Sequence, residues 1–120
     1  MIKSFSHVMM YCTDIATSVA WYRDTLGFYE VFSAPGAYAV LKHERLKCRL
    51  DLHHAAKDSP NIGRGPMPYF SVDDLDGTIA ALKRKGVTVA PPRREGSSPR
   101  FCMFQDCDGN ILGLEETNGH

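Results

Sequence analysis

The chain writes one pattern twice, and this repetition limits its fold more than any other feature. Residues 7–28 read HVMMYCTDIATSVAWYRDTLGF, and residues 67–87 read MPYFSVDDLDGTIAALKRKGV. Aligned, His7 falls on Met67, Asp14 on Asp74, Ile15 on Leu75 and Val19 on Ile79. One residue fewer in the second copy brings Gly27 onto Gly86. Each copy is a short strand, an acidic N-cap, an amphipathic helix and a glycine stop. Solenoids need three or more such units to bury a continuous core, so two copies predict a duplicated module building one domain. That domain spans residues 1–120, with module 1 at about 1–55, a linker at 56–66 and module 2 at about 67–118.

The rest of the chain fits the same period. Residues 5–12 form a strand whose faces are His7, Met9, Tyr11 and Ser6, Val8, Met10, Cys12. Thr13 or Asp14 caps a helix whose core stripe is Ile15, Val19, Tyr22 and Leu26. Strands follow at 28–33, 38–43 and 46–53; on the last, Arg49, Asp51 and His53 share a face opposite Leu50 and Leu52. Two prolines and two glycines close the 55–66 region to regular structure. Module 2 then gives a strand at 67–72 and a helix capped by Asp73 or Asp74, with Leu75, Ile79 and Leu82 inward. A strand stub at 87–90, a mobile 91–100 loop, strands at 101–105 and 111–116, and a loose 117–120 tail complete it.

Composition excludes several classes of function. A hydrophobic share of 43% supports a packed core and argues against bulk disorder. Fourteen Lys and Arg balance fourteen Asp and Glu, so nothing draws the chain generally to nucleic acid or to an anionic membrane. The N-terminus MIKSFSHVMM lacks a signal-type apolar run, and no stretch has the length of a membrane span. The expectation is a cytoplasmic protein whose Cys12, Cys48, Cys102 and Cys107, with no CxxC pair among them, are free thiols.

The helix with Trp21-Tyr22 running into Leu26-Gly27-Phe28, the second module opening FSVDDLD and the turn FQDCDGN together resemble the vicinal oxygen chelate superfamily. That group holds glyoxalase, bleomycin resistance proteins and extradiol dioxygenases. The resemblance covers nearly the whole chain. It implies an α+β fold of two βαβββ modules, with curled mixed sheets around a concave groove and helices outside. It also implies a homodimer, an arrangement that covers exposed sheet edges.

In metal-using members the ligands sit on the first and last strands of each module. Those places are His7 and Asp51 in the first module, and Met67 and Gly113 in the second. Met67 offers a thioether that hard divalent ions bind poorly, and Gly113 offers nothing. His53, two residues past Asp51 on the same face, is the nearest further donor. The resemblance therefore gives His7 and Asp51 as the catalytic or metal-binding pair. Met9, Tyr11, Arg49, His53, Met67, Tyr69, Phe101, Met103 and Gly113 are the candidate substrate-binding residues of the groove.

The expected function is binding of a small organic molecule in the inter-module groove, with no cofactor and an incomplete metal site. The alternative is a glyoxalase-type lyase, isomerase or transferase in which His7 and Asp51 help hold Zn, Ni, Mn or Fe, the metal acting as a Lewis acid. A metal-free enzyme with His7 as base, oriented by Asp51, is the third possibility. Whether the chain is an enzyme stays open at this point.

Overall fold

A computed structural model describes residues 1–117 of the chain. In order, the elements are β1 (His7–Cys12), α1 (Ile15–Leu26), β2 (Tyr29–Ala34), β3 (Tyr38–Lys42), β4 (Arg49–His54), β5 (Tyr69–Val72), α2 (Leu75–Arg84), β6 (Phe101–Gln105) and β7 (Ile111–Glu116). They divide between two compact units, Met1–Arg64 and Gly65–His120. Each unit is α+β, with one helix and one mixed sheet, as the duplication predicts.

In the first unit the strand order is β1-β4-β3-β2. β1 runs parallel to β4, so the first and last strands of the module lie side by side, while β3 is antiparallel to both β4 and β2. Strand alternation sends Met10, Cys12, Ala39, Leu41, Leu50 and Leu52 into the core beneath α1. Asp14 caps α1 by accepting from the Thr17 N–H at 3.0 Å. Gly27 ends the helix in the left-handed region at φ 81°, where its N–H reaches the Arg23 carbonyl. The stripe read from the sequence needs one change. Ile15, Ser18 and Tyr22 are the buried residues, whereas Val19 and Leu26 are half-buried. The small Ser18 lets the helix settle close to the sheet, and the Tyr22 hydroxyl donates to Met10 Sδ at 3.5 Å.

The second unit repeats the plan with the order β5-β7-β6, β5 parallel to β7 and β6 antiparallel to it. Leu75, Ile79 and Leu82 of α2 pack with Cys102, Phe104, Leu112 and Leu114 in its core. The expected strand stub at 87–90 is not a strand. It makes single bridges instead, Val89 to Phe104 and Arg93 to Phe101, and the register slips by one residue between them. Pro91 and Pro92 have no N–H to donate, so the ladder along β6 breaks there. The 91–100 segment is nonetheless tied down. Arg93 exchanges both backbone hydrogen bonds with Phe101 at 2.9 Å, and Glu95 and Ser98 bond each other.

Other boundaries shift for similar reasons. β5 begins at Tyr69 and not at Met67, because Pro66 and Pro68 cannot donate; Pro68 still accepts from the Gly113 N–H at 2.9 Å. β4 begins at Arg49, since Leu46 belongs to a turn whose N–H bonds the His43 carbonyl. Thr117 is anchored to the Val72 carbonyl, and the remainder of the expected loose tail, 118–120, lies outside the described residues. Among the described residues no helix is long and apolar enough to cross a membrane. Cys12, Cys48, Cys102 and Cys107 form no disulfide, and burial raises the Cys102 thiol pKa.

The second helix carries a testable detail. Asp74 caps it through the Gly77 N–H at 3.0 Å, and a Cβ on Gly77 would run into that same carboxylate. In an exposed helix Gly→Ala stabilises by about 1 kcal/mol. Here Gly77→Ala is expected to gain nothing or to destabilise, and Asp74→Ala to cost about 1 kcal/mol. Urea unfolding of the two variants measures both.

Candidate functional site

The parallel pairing of first and last strands brings the sequence-predicted residues together. On the first unit's face away from α1, His7 is registered beside Arg49, Met9 beside Asp51 and Tyr11 beside His53. Across β4, Asp51 stands opposite Val40 and His53 opposite Tyr38. The equivalent rows of the second unit are Tyr69 beside Gly113, with Met103 across it. The two registers therefore match Met9 with Tyr69, Asp51 with Gly113 and Val40 with Met103. They support the sequence alignment of His7 on Met67. Met67 itself precedes β5 and is 46% exposed.

Asp51 is the unusual residue of the first face. Only 4% exposed, it is a carboxylate among strands whose buried positions are otherwise apolar. Its cost is met by Arg49. Arg49 Nε donates to Oδ1 at 2.9 Å and Nη2 to Oδ2 at 3.2 Å, a two-pronged, charge-assisted pair. The hydrogen bond to Asp51 holds the Arg49 guanidinium above its ordinary pKa. His7 Nε2 lies 3.6 Å from Asp51 Oδ2, and its Nδ1 is 2.9 Å from the Ser6 hydroxyl. His53 does not join them. Its ring stacks on Tyr38 with centroids 5.3 Å apart and planes 17° from parallel. Both Asp51 oxygens are thus taken by one guanidinium, with one imidazole close by. Among the described residues no group of three or more His, Cys, Asp or Glu side chains is placed to hold a metal ion.

The second face lacks the carboxylate and fills its place differently. The ring of Tyr69 lies over Gly113, and a Cβ at 113 would run into it. Tyr69 and Phe101 meet edge to face at 6.3 Å. Around them lies a concavity of about 310 Å³ lined by Tyr69, Glu95, Ser98, Pro99, Phe101 and Glu115. A second one, about 320 Å³, touches Met67, Ala90, Met103 and Ile111. Of the expected groove residues, Tyr69, Phe101, Met67 and Met103 therefore line concavities of the second unit. Met9, Tyr11, Arg49, Asp51, His53 and His7 share the corresponding face of the first.

Sequence reasoning missed Glu95, Ser98, Pro99 and Glu115. Glu115 carried a signal, since extending the match of Asp51 with Gly113 by two residues pairs His53 with Glu115. Of the loop arginines, Arg100 is committed to Asp76 at 2.8 Å and to Glu116 at 3.3 Å on the helix side.

Two duplicated α+β modules, each with its first and last strands paired in parallel and its helix on one side of the sheet, define a glyoxalase-type fold. The chain belongs to the Glyoxalase/Bleomycin resistance protein/Dioxygenase superfamily, whose family model matches residues 4–114. YwkD of Bacillus subtilis (strain 168), an uncharacterized protein, is 27% identical over a 132-residue alignment covering 97% of this chain and 98% of that one. The fosfomycin resistance protein FosX of Listeria monocytogenes was solved with Mn(II) and 1S,2S-dihydroxypropylphosphonic acid. It superposes with a TM-score of 0.79 at 19% identity, covering 96% of this chain and 90% of that one. The bleomycin resistance determinant encoded on transposon Tn5 gives a TM-score of 0.75 at 19% identity over 98% of this chain and all of the other (100%).

The Arg49–Asp51 pair yields a stability prediction. Replacing Arg49 by Leu leaves a buried carboxylate unpaired and is expected to lower the urea midpoint clearly. The double variant Arg49→Leu with Asp51→Leu is expected to recover most of that loss, because breaking a buried pair costs more than replacing it whole. Equal destabilisation in single and double variants would show that Arg49 acts by packing alone.

Proposed function

We propose that this chain binds a small organic molecule through the uncovered faces of its two sheets, without using a divalent metal ion. The observation that carries this reading is the engagement of both Asp51 oxygens by Arg49. A divalent ion at His7 and Asp51 would have to displace a guanidinium already hydrogen-bonded in two places. It would then find two protein ligands where catalytic zinc sites generally have three. The second unit offers Met67 and Gly113 at the matching positions, and neither is a ligand suited to a hard divalent ion. The residues present do not fit the metal.

The faces suit a flat, partly apolar ligand. Met9, Phe32, Met67 and Tyr69 are large apolar side chains left exposed, and Phe101 and Met103 line the neighbouring concavities. Methionines and rings around a concave surface adapt to organic molecules of varied shape. The fold relationship to the bleomycin resistance determinant, at 19% identity, supports the architecture alone.

Two measurements test the reading together. Elemental analysis after growth with Zn²⁺, Ni²⁺, Mn²⁺ and Fe²⁺ supplied is expected to find far less than one equivalent of any ion. A full equivalent that disappears in His7→Ala would overturn it. A panel of flat organic ligands is expected to raise the melting temperature by several degrees, since a ligand at one hundred times its Kd stabilises by about 2.7 kcal/mol. No shift across the panel removes the support for binding.

A further inference from the structure

The concavity beside Tyr69 and Phe101 on the second unit has a chemical bias. Its walls are two aromatic rings, Tyr69 and Phe101, set at 61° so that they form a corner. Its polar lining is dominated by two carboxylates, Glu95 and Glu115. Ser98 is already occupied, accepting from the Glu95 N–H at 3.0 Å and donating to the Pro99 carbonyl at 3.1 Å.

Glu115 faces Phe101 across the β6–β7 ladder and is half-buried, yet it makes no ion pair among the described residues. Its neighbour Glu116, on the opposite face of β7, has Arg100 at 3.3 Å. On the helix side Glu116 has its cation, and on the concave side Arg93 meets Glu95, which leaves Glu115 as the lining carboxylate with no ion pair among the described residues. The protein's own Arg93 shows what the place attracts. Its guanidinium sits 5.2 Å from the centroid of Phe101 and 3.8 Å from the Glu95 carboxylate. A ring face and a carboxylate together hold a cation better than either does alone.

We infer that this concavity is a binding site for an organic cation, a flat ring system bearing an ammonium or amidinium group. The rings would take the apolar body, and Glu115, with Glu95 at the rim, would take the charge. A neutral analogue loses the ion pair, and an anion meets the Glu115 carboxylate, which has no ion pair among the described residues. The volume, about 310 Å³, lies at the small end of ligand pockets and suits a molecule of two or three fused rings. The inference rests on the small-molecule reading above and specifies its ligand class.

Three acridines of one shape and different charge test it by isothermal titration at pH 7.5: cationic 9-aminoacridine, neutral acridine and anionic acridine-9-carboxylate. 9-Aminoacridine is expected to bind about tenfold tighter than acridine, with the carboxylate weakest. Glu115→Gln is expected to remove most of that preference while leaving the urea midpoint unchanged, because the residue lies on the uncovered face. Arg93→Gln, which frees Glu95 and one face of Phe101, is expected to strengthen cation binding. Equal or tighter binding of acridine or its carboxylate overturns the cation inference and leaves the small-molecule reading standing. A cation preference that survives both Glu115→Gln and Glu95→Gln overturns the location. Failure of all three probes also overturns the inference, and the broader ligand panel then decides the parent reading.

Discussion

The pairing on which the rest depends is the parallel contact between the first and last strands of each module. A chain that leaves β1, crosses through α1 and returns through two antiparallel strands to lie beside β1 in the same direction has two consequences. The helix buries the side of the sheet facing it, and every second residue of β1 and β4 is left on the other side. Residues far apart in sequence, such as Met9 and Asp51, become direct neighbours. The same happens between Tyr69 and Gly113. Both candidate faces are products of this one topological constraint, and the helices and loops serve mainly to hold it.

Given that shared frame, the two copies have diverged in how they treat the same lattice position. The first places a carboxylate at 51, buries it to 4% exposure and neutralises it internally with Arg49. The second removes the side chain at 113 and lays the ring of Tyr69 over the vacancy. The first solution is electrically closed, since the charge is answered within the same strand. The second is apolar at its floor and leaves Glu115, two residues on, without a counter-charge among the described residues. Charge that a ligand could answer therefore lies on the second module, although the residues that look catalytic lie on the first.

Much of this was legible in the sequence because its signals are local. Asp14 and Asp74 cap the helices, Gly27 stops the first, and the α2 stripe of Leu75, Ile79 and Leu82 lies inward as its spacing predicts, while in α1 Ser18 is buried and Val19 and Leu26 are half-buried. The match of Asp51 with Gly113, implied by the resemblance, is supported by the likeness of Leu50-Asp51-Leu52 to Leu112-Gly113-Leu114, and the registers agree with it. What was not legible depends on backbone donors or on long-range placement. The prolines at 66, 68, 91 and 92 shift or break strands because an N–H is missing at one ladder position, which apolar alternation does not reveal. The fold of 91–100 back along β6 is equally invisible, so Glu95 and Ser98 read as loop residues.

The Arg49–Asp51 pair gives the acid at this position a second reading beside that of a metal ligand. A histidine on the first strand and an acid on the last read as half of a metal site. What changes the reading is an arginine two residues before the acid on the same strand face, close enough to grip both oxygens. A buried carboxylate must be neutralised by something, and metal and guanidinium are rival answers to that one electrostatic demand. Here the guanidinium is covalently part of the strand, so its effective concentration at Asp51 is fixed by the fold, whereas a metal must be captured from solution. With the charge already answered and no third donor converging among the described residues, a metal would gain little by entering. The first module's polar cluster is then held together within its own sheet, His7 and Arg49 both lying against Asp51.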